Sequence, residues 1–446
     1  MVDMESQWGI PTVGIHLNVF APLVRNTVRS YGMPSARQAF VPTPLMNTPA
    51  PVLREYVEGN DPVHGRPFMA EVFDQLTRPI PAGELRGEDW DRDTPRYVEA
   101  SSEEEMHVLF RERHYTDFLP VILPTEERVE AMLAGTSHAP ETMVGKTRPT
   151  IGMEFWHYDV EKVAINAVMA GAEPKHLPVL LALASSGDTG RQSSMSSMGN
   201  MVVVNGPIRH EIGMNCGIGA MGPYNYSNAV IGRAFGIMSQ NLQGGSVPGV
   251  TYNGSQGNNF SYNCITFAEN EEASPWEPYH VQWGYERDES AVTVSYIWGG
   301  VWAEYLREYW QEKLVAMVSG LEPGMGCTLV LDPIVAREFV EKGFDSKEKI
   351  AEWIHENAKI PRRRYWDHVM LNLIHEVVEA GIEPFAGYWH AGPEEPIPVF
   401  ETNRINVVVT GGETNGHFTL FQGSPMRAKF RANPGQNATV SIDAWR

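Results

Sequence analysis

The residues best suited to chemistry lie between positions 205 and 284. They are Arg209, His210, Cys216, Cys264, Glu271, Glu272 and His280. A thiolate can attack an electrophile, an imidazole can carry protons, and a guanidinium can orient a carboxylate. We therefore expect Cys216 to be a nucleophile or a metal ligand, and His210 to be a proton donor or acceptor. Arg209 would anchor an anion, and Glu271 completes the predicted catalytic set.

Glycine and asparagine are dense in the same stretch, notably in the loop 244–259. These residues bury little apolar area, but they suit tight turns that bring backbone N–H groups close to a ligand. A second glycine pair, at 411 and 412, follows a valine-rich run. The predicted substrate-binding residues are Asn205, Gly206, Asn215, Glu272, Trp276, Gly411 and Gly412. A surface region without function is the alternative interpretation of the stretch.

The same residue types could hold a transition metal, although no ligand spacing compels one. The candidate ligands are Cys216, His210, His280 and Cys264. The two cysteines lack CxxC spacing, which excludes a zinc ribbon, but distant ligands can still meet in space. Burial as a structural thiol is the alternative for each cysteine. P-loop, dinucleotide-binding, HExxH and nucleophile-elbow motifs are absent from the sequence, so the cofactor stays open.

The composition of the chain limits the classes of partner that we expect it to bind. The chain has 446 residues, with 35 Lys and Arg against 55 Asp and Glu, for a formal net charge of -20. Such a surface repels phosphate backbones and anionic lipids, so we expect no nucleic-acid or membrane partner. Its 12 tryptophans and 16 tyrosines favour self-association into a homo-oligomer.

Three cysteines fit a reducing compartment. No apolar run reaches the roughly 20 residues that cross a bilayer, and the N-terminus lacks the positive charge of a signal peptide. We therefore expect a cytoplasmic protein.

Elements that could position these residues alternate between strands and helices. The sequence predicts a small flavodoxin-like parallel α/β domain over 1–85. Its elements are a strand and the beginning of a helix within 10–23, a second strand at 38–41 and a helix at 67–76. Residues 86–115 are predicted to be an acidic linker. A larger mixed α/β domain, with the site, follows over 116–446.

Two valine-rich runs in the larger domain suggest a pseudo-repeat. The first is Met201-Val202-Val203-Val204, a buried strand that enters an Asn-Gly turn. The second is Ile405-Asn406-Val407-Val408-Val409, which runs into Gly411. Each run could be the centre of one of two related halves.

Several longer segments of the sequence resemble segments of a known protein family. In the first part of the chain they are Gly9-Ile10-Pro11-Thr12-Val13, Val41-Pro42-Thr43-Pro44-Leu45 and Leu76-Thr77-Arg78-Pro79-Ile80. Within 117–421 they include Glu161-Lys162-Val163-Ala164-Ile165-Asn166, Val204-Asn205-Gly206-Pro207-Ile208 and Ser274-Pro275-Trp276-Glu277-Pro278. The first group resembles the UGSC family of (seleno)proteins, whose domain is distantly similar to the selenoprotein B component of glycine reductase. The second group resembles the large uncharacterised domain associated with that family.

The resemblance implies a U/C-G-S-C redox motif shortly before Gly9, and this chain has no cysteine before Cys216. The motif could belong to a redox partner subunit, lie upstream of Met1, or have been lost. We expect an enzyme that cleaves or reduces a carbon–heteroatom bond in a small polar organic molecule. A non-catalytic substrate-binding or scaffold subunit of a redox complex, and a non-redox hydrolase or lyase, are the alternatives.

Overall fold

The structure of the chain is a computed structural model. It describes residues 2–45, 48–81, 83–84, 96–147, 156–188, 198–243, 248–249, 256–305, 307–323, 326–367, 378–423 and 439–446.

The first unit alternates helices and strands. Its helices are α1 (Val2–Trp8), α2 (Ala21–Ser30), α3 (Ala50–Glu58) and α4 (Phe68–Thr77), and its strands are β1 (Gly14–Leu17) and β2 (Gln38–Val41). The two strands pair in parallel. Ala39 and Val41 of β2 pack against Phe68 and Val72 of α4, which forms a small core. These elements confirm a parallel α/β unit at the start of the chain.

The acidic stretch 86–115 is not a linker throughout. Residues 85–95 lie outside the described residues, but α5 (Glu103–Glu112) follows them and begins at Ser102, whose side chain accepts a hydrogen bond from the Glu105 N–H. Phe110 is buried in the core of the larger unit, with Met106 packed beside it. The linker prediction is therefore wrong for this helix. The many charged residues of this stretch obscure the pattern of two apolar residues that lie one turn apart on the same face of the helix.

The larger unit contains the remaining elements. Its helices are α6 (Glu126–Leu133), α7 (Val160–Ala170), α8 (Leu177–Ser185), α9 (Ile208–Glu211), α10 (Tyr226–Gln243), α11 (Trp310–Ser319), α12 (Pro333–Glu341), α13 (Lys347–Asn357), α14 (Arg362–Tyr365) and α15 (Phe385–His390). Its strands are β3 (Met143–Thr147), β4 (Trp156–Asp159), β5 (Gly199–Asn205), β6 (Ile265–Ala268), β7 (Ala291–Ile297), β8 (Gly299–Glu304), β9 (Cys327–Leu331), β10 (Lys359–Pro361), β11 (Pro396–Pro398), β12 (Ile405–Val409), β13 (His417–Gln422) and β14 (Thr439–Ser441).

Two four-stranded mixed sheets, ordered β14-β7-β5-β6 and β12-β9-β13-β8, repeat one topology. In the first sheet β5 lies between parallel β6 and antiparallel β7. In the second sheet β9 lies between parallel β12 and antiparallel β13. The fourth strand of each sheet comes from the other half of the unit. Strand β8 follows β7 in the chain but pairs with β13 in the second sheet, and β14 follows β13 but pairs with β7 in the first sheet. A pseudo-repeat is thus present in the topology, although β5 corresponds to β9 and not to the second valine-rich run, which is β12.

The two sheets lie face to face between outer layers of helices. Successive residues of a strand point to opposite faces, so β5 serves two cores. Val202 and Val204 pack with helices α7, α8 and α10, whereas Met201 and Val203 pack against the second sheet, where they belong to the same cluster as Val330. Strands β9, β12 and β13 pack in turn against α11, α12 and α13. This four-layer arrangement confirms the mixed α/β fold. None of the described helices combines the length and the apolar character needed to cross a lipid bilayer.

The layer between the sheets offers a direct test of this packing. Val203 is fully buried there, so Val203→Ala removes two methyl groups and leaves a cavity, and we expect a loss of about 2–3 kcal/mol in the free energy of unfolding. The control is Val301→Ala on β8, where the side chain is 41% exposed and we expect a change below about 0.5 kcal/mol. Denaturant unfolding measures both variants. Equal losses would contradict the face-to-face arrangement.

Candidate functional site

The carboxyl ends of the central parallel strands meet at one edge of the two sheets. Thr410, which follows β12, donates its hydroxyl to the Ala268 carbonyl at the end of β6, at 2.8 Å. In the other direction, the Asn270 N–H donates to the Val409 carbonyl at 2.8 Å. The ends of β5 and β9 lie beside them in the same sheets. Ligands of open α/β sheets bind at the carboxyl ends of the strands, so this edge is the expected position of a site.

Glu269 is the buried centre of this edge. Its Oε2 accepts hydrogen bonds from Asn205 Nδ2 at 2.6 Å and from the Tyr279 N–H at 2.5 Å. Its Oε1 accepts one from Lys347 Nζ at 2.9 Å, and both side chains of this ion pair are almost fully buried. Since the charge of a buried carboxylate must be compensated, Lys347 ties α13 to the ends of β5 and β6.

Arg209 organises the next layer of carboxylates. Its Nε donates to the Gly206 carbonyl, and its Nη1 donates to the Glu269 carbonyl and to Glu272. Its Nη2 donates to Glu271 at 2.9 Å and to Glu272 at 3.0 Å. A guanidinium has five N–H donors, and protein groups occupy all five. In this structure Arg209 positions the two carboxylates, and its role as an anchor for a substrate anion stays a prediction.

Asn205 and Gly206 share the same network. The Asn205 amide donates to Glu271 Oε1 at 2.9 Å, and the Gly206 N–H donates to the same oxygen at 2.8 Å. Gly206 has a φ of 83°, and a Cβ there would lie 2.3 Å from the Glu289 carbonyl oxygen. Only glycine fits this turn, so its presence in the sequence reflects backbone geometry.

His210 and Glu272 form a pair that is open to solvent. His210 Nε2 lies 3.0 Å from Glu272 Oε1, and each side chain is 58% exposed. Partial burial would raise the pKa of Glu272, but the hydrogen bonds from Arg209 and His210 lower that pKa to about 2. Glu272 thus stays ionised and orients the imidazole. The structure brings together the predicted residues Arg209, His210, Glu271 and Glu272.

Cys216 lies beside this cluster and is half-buried. Burial raises the pKa of its thiol, Arg209 partly opposes the shift, and the Glu272 charge adds to it. The thiol is therefore protonated at neutral pH, which makes it a weak nucleophile. The backbone of Cys216 connects the ionic cluster to the glycine loop, because its carbonyl accepts a hydrogen bond from the Gly411 N–H at 2.9 Å.

The predicted metal ligands are not assembled. His280 is fully buried and its Nε2 lies 3.0 Å from the Glu286 carbonyl. Cys264 precedes β6, so a whole strand separates it from Glu269 at the other end. In the part of the chain that the structure describes, no group of three or more His, Cys, Asp or Glu side chains could hold a metal ion.

Two predicted binding residues have structural positions. Trp276 is buried in the core beneath the second sheet and donates its indole N–H to the Phe344 carbonyl at 3.0 Å. Asn215 holds its own loop, because its amide donates to the Ile218 carbonyl and to Asn225. Both side chains therefore have structural partners, and their substrate-binding role stays a prediction. Most of the loop 244–259 lies outside the described residues.

A cavity of about 300 Å³ opens at the carboxyl ends of β9 and β12. The predicted residues Gly411 and Gly412 line it. Its other polar and aromatic lining comes from Trp302, Asp332, Thr410, Thr414, Asn415, His417, Phe418 and Thr419. An apolar pocket with a few convergent polar groups is the usual form of a small-molecule site.

His417 is the reactive group of this cavity. Its Nδ1 lies 2.9 Å from the Asn415 carbonyl, which can only accept, so Nδ1 bears the proton and Nε2 of the neutral ring is an acceptor. The ring stacks on Trp302 with centroids 4.6 Å apart. Asp332, the cap of α12, accepts a hydrogen bond from the His417 N–H and another from the Val335 N–H.

Sequence reasoning missed three of these residues as site residues: His417, Asp332 and Trp302. The available signal was Asn415-Gly416-His417, which follows the predicted glycine pair closely. Trp302 could not be found in this way, because it reaches His417 only through the exchanged strand β8.

No protein-family model matches the chain, and no curated protein is similar enough to count as a relative. The resemblance to the UGSC family therefore stays a prediction, and the side chains of the site are the basis for a function.

The buried ion pair predicts that two lysines of one helix contribute very differently to the free energy of unfolding. Lys347→Ala leaves the Glu269 charge buried without its cation, so we expect a loss of about 3–5 kcal/mol in the free energy of unfolding. Lys349, on the same helix, pairs with Asp345 at the surface, and Lys349→Ala should cost less than about 1 kcal/mol. Denaturant unfolding measures both. Similar losses would show that the Glu269 pair does not hold the edge together.

The thiol of Cys216 predicts a charge-dependent reactivity. In a Cys264→Ser background, Glu272→Gln removes a negative charge that raises the Cys216 pKa, so we expect iodoacetamide to alkylate Cys216 roughly three- to tenfold faster at neutral pH. Glu277→Gln is the control, because Glu277 is an exposed surface residue paired with Arg287. Mass spectrometry follows the modification. Equal rates in the two variants would contradict the proposed electrostatic coupling.

Proposed function

We propose that the chain is an enzyme that cleaves a carbon–heteroatom bond in a small polar organic molecule, by proton transfer to and from His417. The observation that carries this proposal is the cavity of about 300 Å³ at the carboxyl ends of β9 and β12, lined by a histidine with a fixed tautomer. A general base needs an acceptor nitrogen within hydrogen-bond reach of its substrate, and Nε2 of the neutral His417 ring can take that role in this cavity.

Each neighbour of His417 supports one part of such a step. The Asn415 carbonyl keeps the proton on Nδ1, and the Trp302 face stabilises the ring when Nε2 takes up a second proton. The hydroxyl of Thr414 and the amide of Asn415 line the cavity and can bind a polar substrate. Asp332 fixes the backbone of His417 and the start of α12 together.

The other predicted catalytic residues are less suited than His417 to be the proton-transfer group. His210 and Glu272 lie open to water, and neither side chain lines the cavity at the carboxyl ends of β9 and β12. The thiol of Cys216 has a raised pKa. A reductive step that involves a partner subunit rests on the family resemblance, so the geometry favours hydrolysis or elimination, neither of which needs a reductant. In hydrolysis His417 takes a proton from the attacking water, in elimination it takes one from carbon, and in both it returns the proton to the departing heteroatom group.

The test is turnover in D2O, monitored by proton NMR. Mixtures of small amides, hydroxy acids and amino acids are incubated with the purified chain, and NMR reports both products and exchange of carbon-bound protons. For any compound that reacts, we expect His417→Asn to lower the rate by about 10²–10⁴, because it removes the base. His210→Asn, a change of the same size at the solvent-open pair, should leave the rate within about a factor of 3. Turnover that needs His210 and not His417 would contradict the proposal.

A further inference from the structure

A second cavity lies in the first unit, well separated in sequence from the cavity at His417. It has a volume of about 190 Å³, room for about six waters at roughly 30 Å³ each. Its walls come from one face of α2, from β2, and from the end of α4. The polar residues that line it are Arg25, Ser35, Gln38, His64, Gln75 and Arg78.

His64 is held in this wall by a fully buried carboxylate. Asp61 Oδ2 lies 3.0 Å from His64 Nδ1 and also accepts a hydrogen bond from the Phe40 N–H at 2.7 Å. Asp61 Oδ1 accepts from the N–H groups of Val63 and His64. Burial raises the pKa of Asp61, but the backbone N–H groups outweigh it and lower that pKa, so Asp61 stays ionised. The His64 ring also packs against Phe40, with centroids 5.6 Å apart.

An ionised Asp61 keeps a proton on His64 Nδ1, which leaves Nε2 as the nitrogen available in the cavity. A buried carboxylate that orients an imidazole toward a cavity is the arrangement expected of a residue that contacts a ligand. Glu71, the other carboxylate near His64, lies 3.7 Å from Nδ1 and pairs with Arg66 at 3.2 Å, which also pairs with Asp74 at 3.1 Å.

Two arginines line the same cavity. Arg78 donates to the Gln75 side chain at 2.7 Å, and Arg25 is exposed on α2. Among the described residues, neither guanidinium has a carboxylate within ion-pair distance. Glu84 does lie near the cavity, but the Ser35 N–H and hydroxyl occupy its two oxygens, each at 2.8 Å. Both arginines are exposed, so water solvates their charges and a bound anion could replace that water.

We propose that this cavity is a binding site for a small oxyanion, a carboxylate or a phosphate, held by Arg25 and Arg78 beside the His64 ring. Guanidinium groups suit such planar or tetrahedral oxygens, and each charge-assisted hydrogen bond adds appreciable affinity. The cavity volume limits the ligand to a few non-hydrogen atoms. This site is independent of the proposed function in the larger unit.

The test is an NMR titration of the full chain labelled with carbon-13 in its histidine rings. The His64 signals are assigned with His64→Asn, and acetate and inorganic phosphate are then added separately up to about 20 mM, well above a dissociation constant near 1 mM. We expect one or both anions to shift the His64 signals with saturation, and the comparison of the two titrations identifies the preferred ligand.

The arginine variants decide the mechanism. Arg25→Gln should weaken binding by about tenfold, because it removes a charge-assisted contact. Arg54→Gln is the matched control, since Arg54 is an exposed arginine of the same unit that does not line the cavity, and it should bind like the unsubstituted chain. The proposal is overturned if neither anion shifts the His64 signals, or if Arg25→Gln and Arg54→Gln bind the anion equally.

Discussion

The buried carboxylate of Glu269 is the constraint on which the edge of the two sheets depends. An isolated charge at this depth would cost several kcal/mol, so the chain must supply a cation and donors from several directions. Lys347 comes from a helix of the second half, whereas Asn205 comes from the central strand of the first half. The Glu269 carbonyl also accepts a hydrogen bond from Arg209, which extends the network to Glu271 and Glu272. One side chain thereby connects both halves of the larger unit.

The repeated topology explains why this edge carries two different sites. Val204 lies opposite Ala268 in the first parallel pair, and Leu331 lies opposite Val409 in the second. Asn205, the last residue of β5, and Asp332, the first residue after β9, therefore occupy equivalent positions in the two sheets. In the first half this residue joins an ionic network in which protein groups bind every N–H of Arg209. In the second half Asp332 positions His417 beside a cavity. The exchanged strands make each sheet depend on both halves, since Trp302 comes from the first half and stacks on a histidine of the second.

Much of the fold could be predicted from the sequence, because its periodic signals are local. The strand at 38–41 and the buried run at 201–204 lie where their patterns predict. The acidic helix α5 could not be predicted, because its two apolar contacts are hidden among charges. The equivalence of the two halves could not be predicted from the sequence either, because the strand order depends on pairings between distant segments.

The candidate site was predictable in its members and not in their roles. The residue types drew attention to Arg209, Glu271 and Glu272, which do lie together. Only the geometry reveals that Arg209 has no donor left for a ligand, that burial keeps the Cys216 thiol protonated, and that His417 faces a cavity. Such roles depend on hydrogen-bond partners and burial, which residue type and spacing do not specify.

The proposed function depends above all on substrate binding in the cavity at the carboxyl ends of β9 and β12. A crystallographic screen with small polar fragments tests such binding most directly, because it locates ligands without knowledge of the reaction. We expect fragments with hydroxyl or amide N–H groups to collect in this cavity, within hydrogen-bond distance of His417 Nε2. Fragments that gather at His210 and Glu272, with the His417 cavity left empty, would contradict the proposed function.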